Sequence, residues 1–86
     1  MSYTLYIVRC ADGTLYTGIA TDVARRMLQH NGEKGRGARY TAARRPVSLV
    51  YAAPFPTRSA ASIEEARIKK LTRAEKQQLI ASASVP

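Results

Sequence analysis

Two tyrosines, Tyr6 and Tyr16, flank a turn-forming segment at residues 11–14. This spacing predicts a β-hairpin whose three-residue loop ends in Gly13, in the left-handed conformation. Because strand side chains alternate between faces, this register places Tyr6, Tyr16 and Gly18 on one face, with Gly18 opposite Tyr6. Two phenols beside a backbone without a side chain can hold and deprotonate a water next to a phosphate. An aromatic pair in an ordinary core is the alternative, and the hairpin alone favours it.

The aliphatic residues of the hairpin support the same register. Leu5, Ile7, Leu15 and Ile19 all occupy odd positions. In a paired hairpin of this register they lie together on the face opposite the tyrosines, where they form a buried surface.

The helix expected after the hairpin has an unusual inner stripe. Val23, Arg26, Met27 and His30 follow a spacing of three and four residues, so they share one face. A guanidinium drawn toward a sheet is costly unless it meets an anion or an acceptor. Asp22 or a backbone carbonyl would satisfy Arg26, and so would a bound phosphate. His30 is placed to hydrogen-bond a tyrosine or that phosphate.

Charge indicates the class of partner. The chain has 86 residues, 14 Lys and Arg against 6 Asp and Glu, and a net charge of +8. Such a balance is typical of proteins that bind a polyanion, usually a nucleic acid. A single cysteine, Cys10, excludes a disulfide framework and a cysteine-rich zinc site. No apolar stretch approaches the length of a membrane span, so no membrane partner and a cytoplasmic location are expected.

The pattern of the whole chain predicts an α/β domain of the α+β type. A three-stranded, mostly antiparallel sheet is flanked by helices in the order β-β-α-β-α-α. One domain is expected over residues 1–86, with an ordered core over about 3–81. The expected strands are Tyr3–Cys10, Thr14–Ala20 and Val47–Tyr51, the last one ended by Pro54 and Pro56. The first helix is expected from Thr21 or Asp22 to near Gly32, and the second from a cap at Thr57 or Ser59 to about Leu71. A capping box at Thr72–Glu75 begins a short third helix, and the tail is expected to fray from Ser82.

These motifs resemble the GIY-YIG nuclease superfamily, which includes an amino-terminal domain of the bacterial excinuclease. The resemblance rests on Thr4-Leu5-Tyr6, on Tyr16-Thr17-Gly18 and on Arg26, and it covers about Tyr3 to Ile80. It is strongest to small stand-alone bacterial members. The resemblance implies phosphodiester hydrolysis with Tyr6 as general base, Tyr16 steering the water and Arg26 stabilising the transition state. His30 is a further catalytic candidate.

The resemblance also implies a carboxylate metal ligand on the helix after the third strand. Helical periodicity favours Glu64, which shares a stripe with Ala61 and Ile68. The family pattern instead aligns Glu65, with Ala61 four residues before it and Ile68-Lys69 after it. Glu65 is the preferred ligand of a single Mg²⁺ or Mn²⁺, and Glu64 is the alternative. An ion pair between Glu65 and Lys69 on a solvated face is the competing structural interpretation.

A loop rich in Gly and Arg, residues 33–45, is the predicted nucleic-acid contact. Glycines permit close approach of the backbone to phosphates, arginines supply charge, and an aromatic ring can stack on an unpaired base. With Gly18 of the hairpin, the predicted contacts are Arg36, Arg39, Tyr40, Arg44 and Arg45.

The leading hypothesis is therefore a metal-dependent endonuclease acting on DNA. A nucleic-acid-binding module that retains the nuclease fold with little or no catalysis is the alternative. The sequence leaves open DNA against RNA, which tyrosine is the base, and the preferred substrate. Because no separate recognition domain is evident, either affinity and specificity are expected to be low, or a partner protein or a homodimer supplies them.

Overall fold

Within the part of the chain that the structure describes, three strands and three helices follow one another in the predicted order. A computed structural model describes residues 2–31 and 44–83. The strands are β1 (Tyr3–Arg9), β2 (Leu15–Ala20) and β3 (Ser48–Phe55), and the helices are α1 (Val23–His30), α2 (Arg58–Lys69) and α3 (Arg73–Ala83). Within the described ranges, no helix is both long and apolar enough to cross a membrane.

The sheet is antiparallel throughout, and the hairpin has the predicted register. The strand order is β2-β1-β3. Tyr6 pairs with Gly18, and Val8 pairs with Tyr16. The turn is closed by the Cys10 N–H, which donates to the Thr14 carbonyl at 2.8 Å. Gly13 has a φ of 86°, the left-handed conformation that the register requires.

The sheet packs on both faces. On one face Tyr6, Val8 and Cys10 form a buried cluster that α1 covers with Val23 and Met27. We call this the α1 face. On the other, Leu5, Ile7 and the α2 residue Ile68 form an aliphatic cluster, which we call the α2 face. Strand alternation therefore divides β1 between two different interiors.

The third strand is longer than predicted. It continues through Pro54 to Phe55, so the prediction that Pro54 ends the strand is wrong. Because β3 is an edge strand, the missing N–H of a proline can face the open side of the sheet without breaking the ladder. The pairing with β1 shifts between Ile7 and Val8, which is a β-bulge.

The first helix ends two residues earlier than predicted. Asp22 caps it by accepting a hydrogen bond from the Arg25 N–H at 3.0 Å. The helix ends at His30 rather than near Gly32, and Asn31 is its C-cap. The Asn31 side chain makes two hydrogen bonds to Val47, accepting from its N–H at 2.7 Å and donating to its carbonyl at 3.2 Å. The end of α1 is thereby fixed to the start of β3.

The last two helices begin at the predicted caps. The Thr57 hydroxyl accepts from the Ala60 N–H at 3.1 Å and starts α2, which ends at Lys69 instead of Leu71. The capping box forms as predicted, because Glu75 accepts from the Thr72 N–H at 2.8 Å and Thr72 accepts from the Glu75 N–H at 3.1 Å. The helix α3 includes Ser82, which was expected to fray.

Candidate active site

The Tyr6 side chain lies across Gly18 of the edge strand β2. A Cβ atom built on Gly18 would lie 2.5 Å from the Tyr6 hydroxyl oxygen and 2.7 Å from its Cζ. Both distances are shorter than real side-chain contacts, so a residue with a side chain at position 18 would displace the phenol. The predicted juxtaposition of Tyr6 and Gly18 is therefore a close packing contact. The predicted nucleic-acid contact at Gly18, which is buried, stays a prediction.

His30 joins the two tyrosines. Its Nε2 lies 2.7 Å from the Tyr6 hydroxyl, and its ring centroid lies 5.7 Å from that of Tyr6 and 5.4 Å from that of Tyr16. Both ring pairs are edge-to-face, an arrangement that aromatic rings prefer. The last residue of α1 thus places an imidazole between two phenols, and of the two partners expected for His30 it is the tyrosine that the structure shows.

Burial keeps the His30 imidazole neutral. The pKa of His30 is lowered from 6.5 to about 4, first by burial and then by the positive charges of Arg26 and Arg45. A neutral imidazole has one nitrogen that donates and one that accepts. When the proton is on Nε2, His30 donates to the Tyr6 oxygen; in the other tautomer it accepts the Tyr6 hydroxyl proton.

Arg26 lies on the inner stripe of α1, as predicted, but its partner was not predicted. Its Nη1 donates to the Gln29 Oε1 at 2.9 Å, in place of Asp22 or a backbone carbonyl. The Asp22 carboxylate is occupied with the N-cap hydrogen bond to Arg25. Because the Gln29 amide is neutral, it does not compensate the positive charge of Arg26. The guanidinium can therefore still bind an anion.

The Tyr6 phenol lies within electrostatic reach of the charged residues of the site. Its pKa is raised above 10.0, principally by burial, and the nearby Arg26 guanidinium partly opposes this by hydrogen bonding and by its charge. The charges of Tyr16 and Glu65 raise the pKa of Tyr6 further. Arg26 and Glu65 thus both act on the same hydroxyl, although they come from different helices.

The two glutamates of α2 differ in their surroundings. Glu64 accepts two hydrogen bonds from the Arg67 guanidinium, at 2.7 and 2.6 Å, which hold the pKa of its carboxyl below the usual value. Glu65 lies 3.2 Å from the Lys69 ammonium, which is the predicted helical ion pair. Arg67 thus engages both oxygens of Glu64, whereas Lys69 pairs with Glu65, and the choice of Glu65 as the carboxylate of the site stays a prediction.

The donor set suits a cation that keeps most of its water. Within residues 2–31 and 44–83, no three His, Cys, Asp or Glu side chains come together as a metal cluster. Mg²⁺ is commonly held by one or two carboxylates, with water and phosphate filling its other positions. The Glu65 side chain is 25% exposed and monodentate toward Lys69, so it fits a cation of this kind.

Part of the predicted nucleic-acid contact lies outside the described residues, namely Arg36, Arg39 and Tyr40. Arg44 donates to the Asp12 carboxylate at 3.1 Å, at the tip of the hairpin. Arg45 donates to the backbone carbonyl of His30 at 2.8 Å. The structure thus places Arg45 beside the site and Arg44 at the far end of the hairpin.

Sequence reasoning missed the two polar residues that support the site. Gln29 satisfies one nitrogen of Arg26, and Asn31 anchors the end of α1 directly after His30. Gln29 follows Arg26 by three residues, a spacing at which helical side chains meet, and this signal was available. The contact of Asn31 with Val47 joins residues 16 positions apart and had no local signal.

Comparison with known proteins agrees with the fold and with the motifs. The GIY-YIG catalytic domain family matches residues 2–78. A UPF0213 protein of Desulfotalea psychrophila is 52% identical over 79 residues, covering 92% of this chain and 71% of the relative. One from Haloquadratum walsbyi is 55% identical over 75 residues, covering 87% and 82%.

Two structures solved by solution NMR have the same fold. The UPF0213 protein of Bacillus halodurans superposes with a TM-score of 0.64 at 41% identity, covering all of this chain and 89% of its own. A protein of E. faecalis gives a TM-score of 0.62 at 43% identity, covering 92% and 83%. The chain therefore belongs to the GIY-YIG family.

Proposed function

We propose that this protein is a metal-dependent endonuclease that hydrolyses phosphodiester bonds in DNA. The observation that carries the proposal is the convergence on one hydroxyl: Tyr6 is held by His30 at 2.7 Å and is acted on by Arg26 and Glu65. Hydrolysis of a phosphodiester requires a base, a stabiliser of phosphoryl charge and a metal ligand, and this cluster supplies residues of all three types.

Tyr6 is the proposed general base. As a phenolate it accepts a proton from water, and the resulting hydroxide attacks phosphorus. His30 fixes the phenol and donates from Nε2 to the phenolate oxygen, since its imidazole is neutral at pH 7. Tyr16 packs against the same ring and orients the water. Because the pKa of Tyr6 is raised above 10.0, only a small fraction of Tyr6 is phenolate at pH 7, and this fraction increases with pH.

Arg26 is the proposed transition-state stabiliser. Its guanidinium donates hydrogen bonds along the edges of its plane, and Gln29 accepts from one of its nitrogens. The remaining donors can bind two oxygens of the scissile phosphate and stabilise the charge that develops there.

Glu65 is the proposed ligand of a single Mg²⁺ or Mn²⁺. Such an ion, when bound, neutralises phosphate oxygens and stabilises the leaving oxygen. Glu65 would exchange its ion pair with Lys69 for this cation, and the pair is exposed enough for that exchange to cost little.

A binding module without useful turnover is the second candidate. The raised pKa of Tyr6 and the pairing of Glu65 with Lys69 are the observations that favour it. A phenol that stays protonated and a carboxylate that stays paired would leave a basic surface able to bind nucleic acid and unable to cut it.

A cleavage panel with two glutamate variants separates the candidates. Single-stranded, duplex, flap and branched substrates, as DNA and as RNA, are incubated with Mg²⁺, Mn²⁺ or chelator. We expect metal-dependent cleavage of DNA that Glu65→Ala abolishes, with DNA binding unchanged or slightly tighter. Glu64→Ala is the matched control and should cleave normally. The reverse result would move the metal ligand to Glu64, and binding without cleavage under every condition would establish the second candidate.

The arginines of the predicted loop are tested by salt dependence. A variant with Arg36, Arg39 and Arg44 changed to Ala should show a log–log salt slope reduced by about 0.7–0.9 for each phosphate that the protein no longer binds. Arg45 is left in place because it holds the His30 carbonyl. An unchanged slope would remove these three residues from the interface.

A further inference from the structure

A cleft opens beside the candidate active site, where β1 begins and β2 ends. Its volume is about 320 Å³, which is in the lower range of small-molecule sites. Tyr3 and Ile19 form one wall, and Arg25 and Arg26 of α1 form another. Arg58, the first residue of α2, closes the third side. The proposed mechanism uses Arg26 and its partner Gln29, and it uses none of the other residues of this cleft.

The cleft concentrates positive charge. Three guanidinium groups line it, and among the described residues none of the three has a carboxylate within ion-pair distance. The acidic residue on its wall, Asp22, accepts the N-cap hydrogen bond of α1. Like charges gathered in a concave surface attract an anion, because each lowers the energy of a negative group placed between them.

The opposite wall is apolar and aromatic. Tyr3 and Ile19 lie on the same side of the sheet, since Ile19 pairs with Leu5 and Tyr3 is two residues before Leu5. A half-exposed tyrosine ring offers a stacking surface for a base, and any base has a face suited to it. The cleft thus pairs an anion-binding side with a stacking side, and its volume exceeds what a phosphate alone would fill.

We propose that this cleft binds one nucleotide adjacent to the scissile phosphate, with its phosphate against Arg25 and Arg58 and its base on Tyr3. This inference rests on the proposed function, because Arg26 lines the cleft and also acts on the Tyr6 hydroxyl. A base stacked on Tyr3 cannot remain stacked within a duplex. The preferred substrate is therefore a nucleic acid with an unpaired nucleotide next to the cleavage site.

Binding is tested with small probes on the full chain. Thymidine 5′-monophosphate, thymidine and inorganic phosphate are titrated while backbone amide NMR signals are followed. We expect the monophosphate to shift the signals of Ala20, Thr21 and Arg58 and to bind at least tenfold more tightly than either fragment. Arg58→Ala should weaken its binding about tenfold, since Arg58 is exposed and its loss leaves the fold intact. Arg9→Ala, which removes the same charge at the far end of β1, should have no effect.

Cleavage then tests the substrate class. Two oligonucleotides of the same sequence are compared, one fully paired and one with an unpaired nucleotide beside the cut. Wild type should prefer the second, and Arg58→Ala and Tyr3→Leu should lose that preference. With the unpaired substrate, Arg58→Ala should also reduce the salt slope by about 0.7.

Failure of this inference is distinguishable from failure of the proposed function. Equal binding of phosphate and monophosphate, or cleavage by both variants with the wild-type preference, would overturn the nucleotide site while leaving the nuclease intact. Saturable binding of the monophosphate by a protein that cuts no substrate would support the site and overturn the nuclease.

Discussion

The two faces of the sheet are built from the same strand and have opposite character. On the α2 face, β1 contributes Leu5 and Ile7 to an aliphatic cluster with Ile68. On the α1 face, it contributes Tyr6, whose hydroxyl meets the buried imidazole of His30. A polar pair in an interior is costly unless each group is satisfied, whereas an aliphatic contact is stabilising in itself. We infer that the α2 face holds the fold together and that the α1 face holds the proposed chemistry.

The largest expected effect tests the α1 face. Tyr6→Phe should lower the rate of cleavage by about 10²–10⁴, because it removes the proposed general base. In the wild type the rate should increase about tenfold per pH unit between pH 7 and 9, since the pKa of Tyr6 lies above 10.0, and in the variant this dependence should disappear. Single-turnover cleavage assays measure both.

Tyr51→Phe is the matched control, because Tyr51 pairs with Ile7 and packs on the α2 face. Its rate and pH profile should equal those of the wild type. Full activity in Tyr6→Phe would show that Tyr16 or another group is the base.

The next effect tests the α2 face. Ile68→Ala should destabilise the fold by about 2–5 kcal/mol, because Ile68 is fully buried against Leu5 and Ile7. Chemical denaturation measures the loss. Ile63→Ala on the same helix is the control and should change stability by at most about 0.5 kcal/mol, since Ile63 is 71% exposed. If Ile68→Ala kept its stability and lost cleavage per folded molecule, the assignment of the two faces would be wrong.

A smaller effect tests the close packing of Tyr6 against Gly18 on the α1 face. Gly18→Ala should destabilise the fold by about 1–3 kcal/mol, because its Cβ would lie 2.5 Å from the Tyr6 hydroxyl oxygen. Part of this loss should be recovered when Tyr6→Phe is added, which a double-mutant cycle measures.

Gly13→Ala supplies the contrast for that cycle. It is strained by its φ of 86°, while its Cβ would meet only ordinary contact, 3.7 Å from Arg73 Nη2. Its cost should be independent of Tyr6→Phe. Equal coupling of both glycines to Tyr6 would contradict the packing explanation.

The smallest effect is a pH dependence of stability. The folded pKa of His30, about 4, lies below its unfolded value of 6.5, so the unfolded protein binds the extra proton between these values. The contribution of neutral His30 is therefore fully present above pH 6.5 and is lost as the pH falls toward 4. Arg26 and Arg45 oppose protonation, and the phenols of Tyr6 and Tyr16 surround the ring.

Melting temperatures between pH 7 and 4.5 measure this loss. His30→Gln, which keeps a polar group beside Tyr6 and does not titrate, should show a flatter profile. A wild-type profile as flat as that of the variant would mean that the pKa of His30 is the same in the folded and unfolded states.

Predictions from the sequence were correct where local geometry, such as strand alternation and turn length, determines the structure. The alternation of Tyr6 with Leu5 and Ile7 follows from strand geometry, and the loop length with Gly13 sets which residue pairs with Gly18, so both were correct. Pro54 was assigned wrongly, because its tolerance depends on β3 being an edge strand, and strand order is a tertiary property.

The choice between Glu64 and Glu65 shows the same limit at the site. Consecutive helical residues point about 100° apart, so both could border the sheet, and periodicity alone favoured Glu64. Their partners differ, because Arg67 engages both oxygens of Glu64, while the charge of Glu65 affects the Tyr6 hydroxyl from another element. That second interaction joins α2 to β1 and has no signature in the spacing of either segment.

The paired hydrogen bonds between Asn31 and Val47 have a consequence for how this protein can diversify. These hydrogen bonds bring together the two ends of the segment that follows α1. The hydrogen bond from Arg45 to the His30 carbonyl reinforces this junction. Lengthening a chain whose ends are already joined is inexpensive, about 0.6 kcal/mol for each doubling. Descendants of this sequence can therefore change the length and composition of that segment while inheriting the α1 face unaltered.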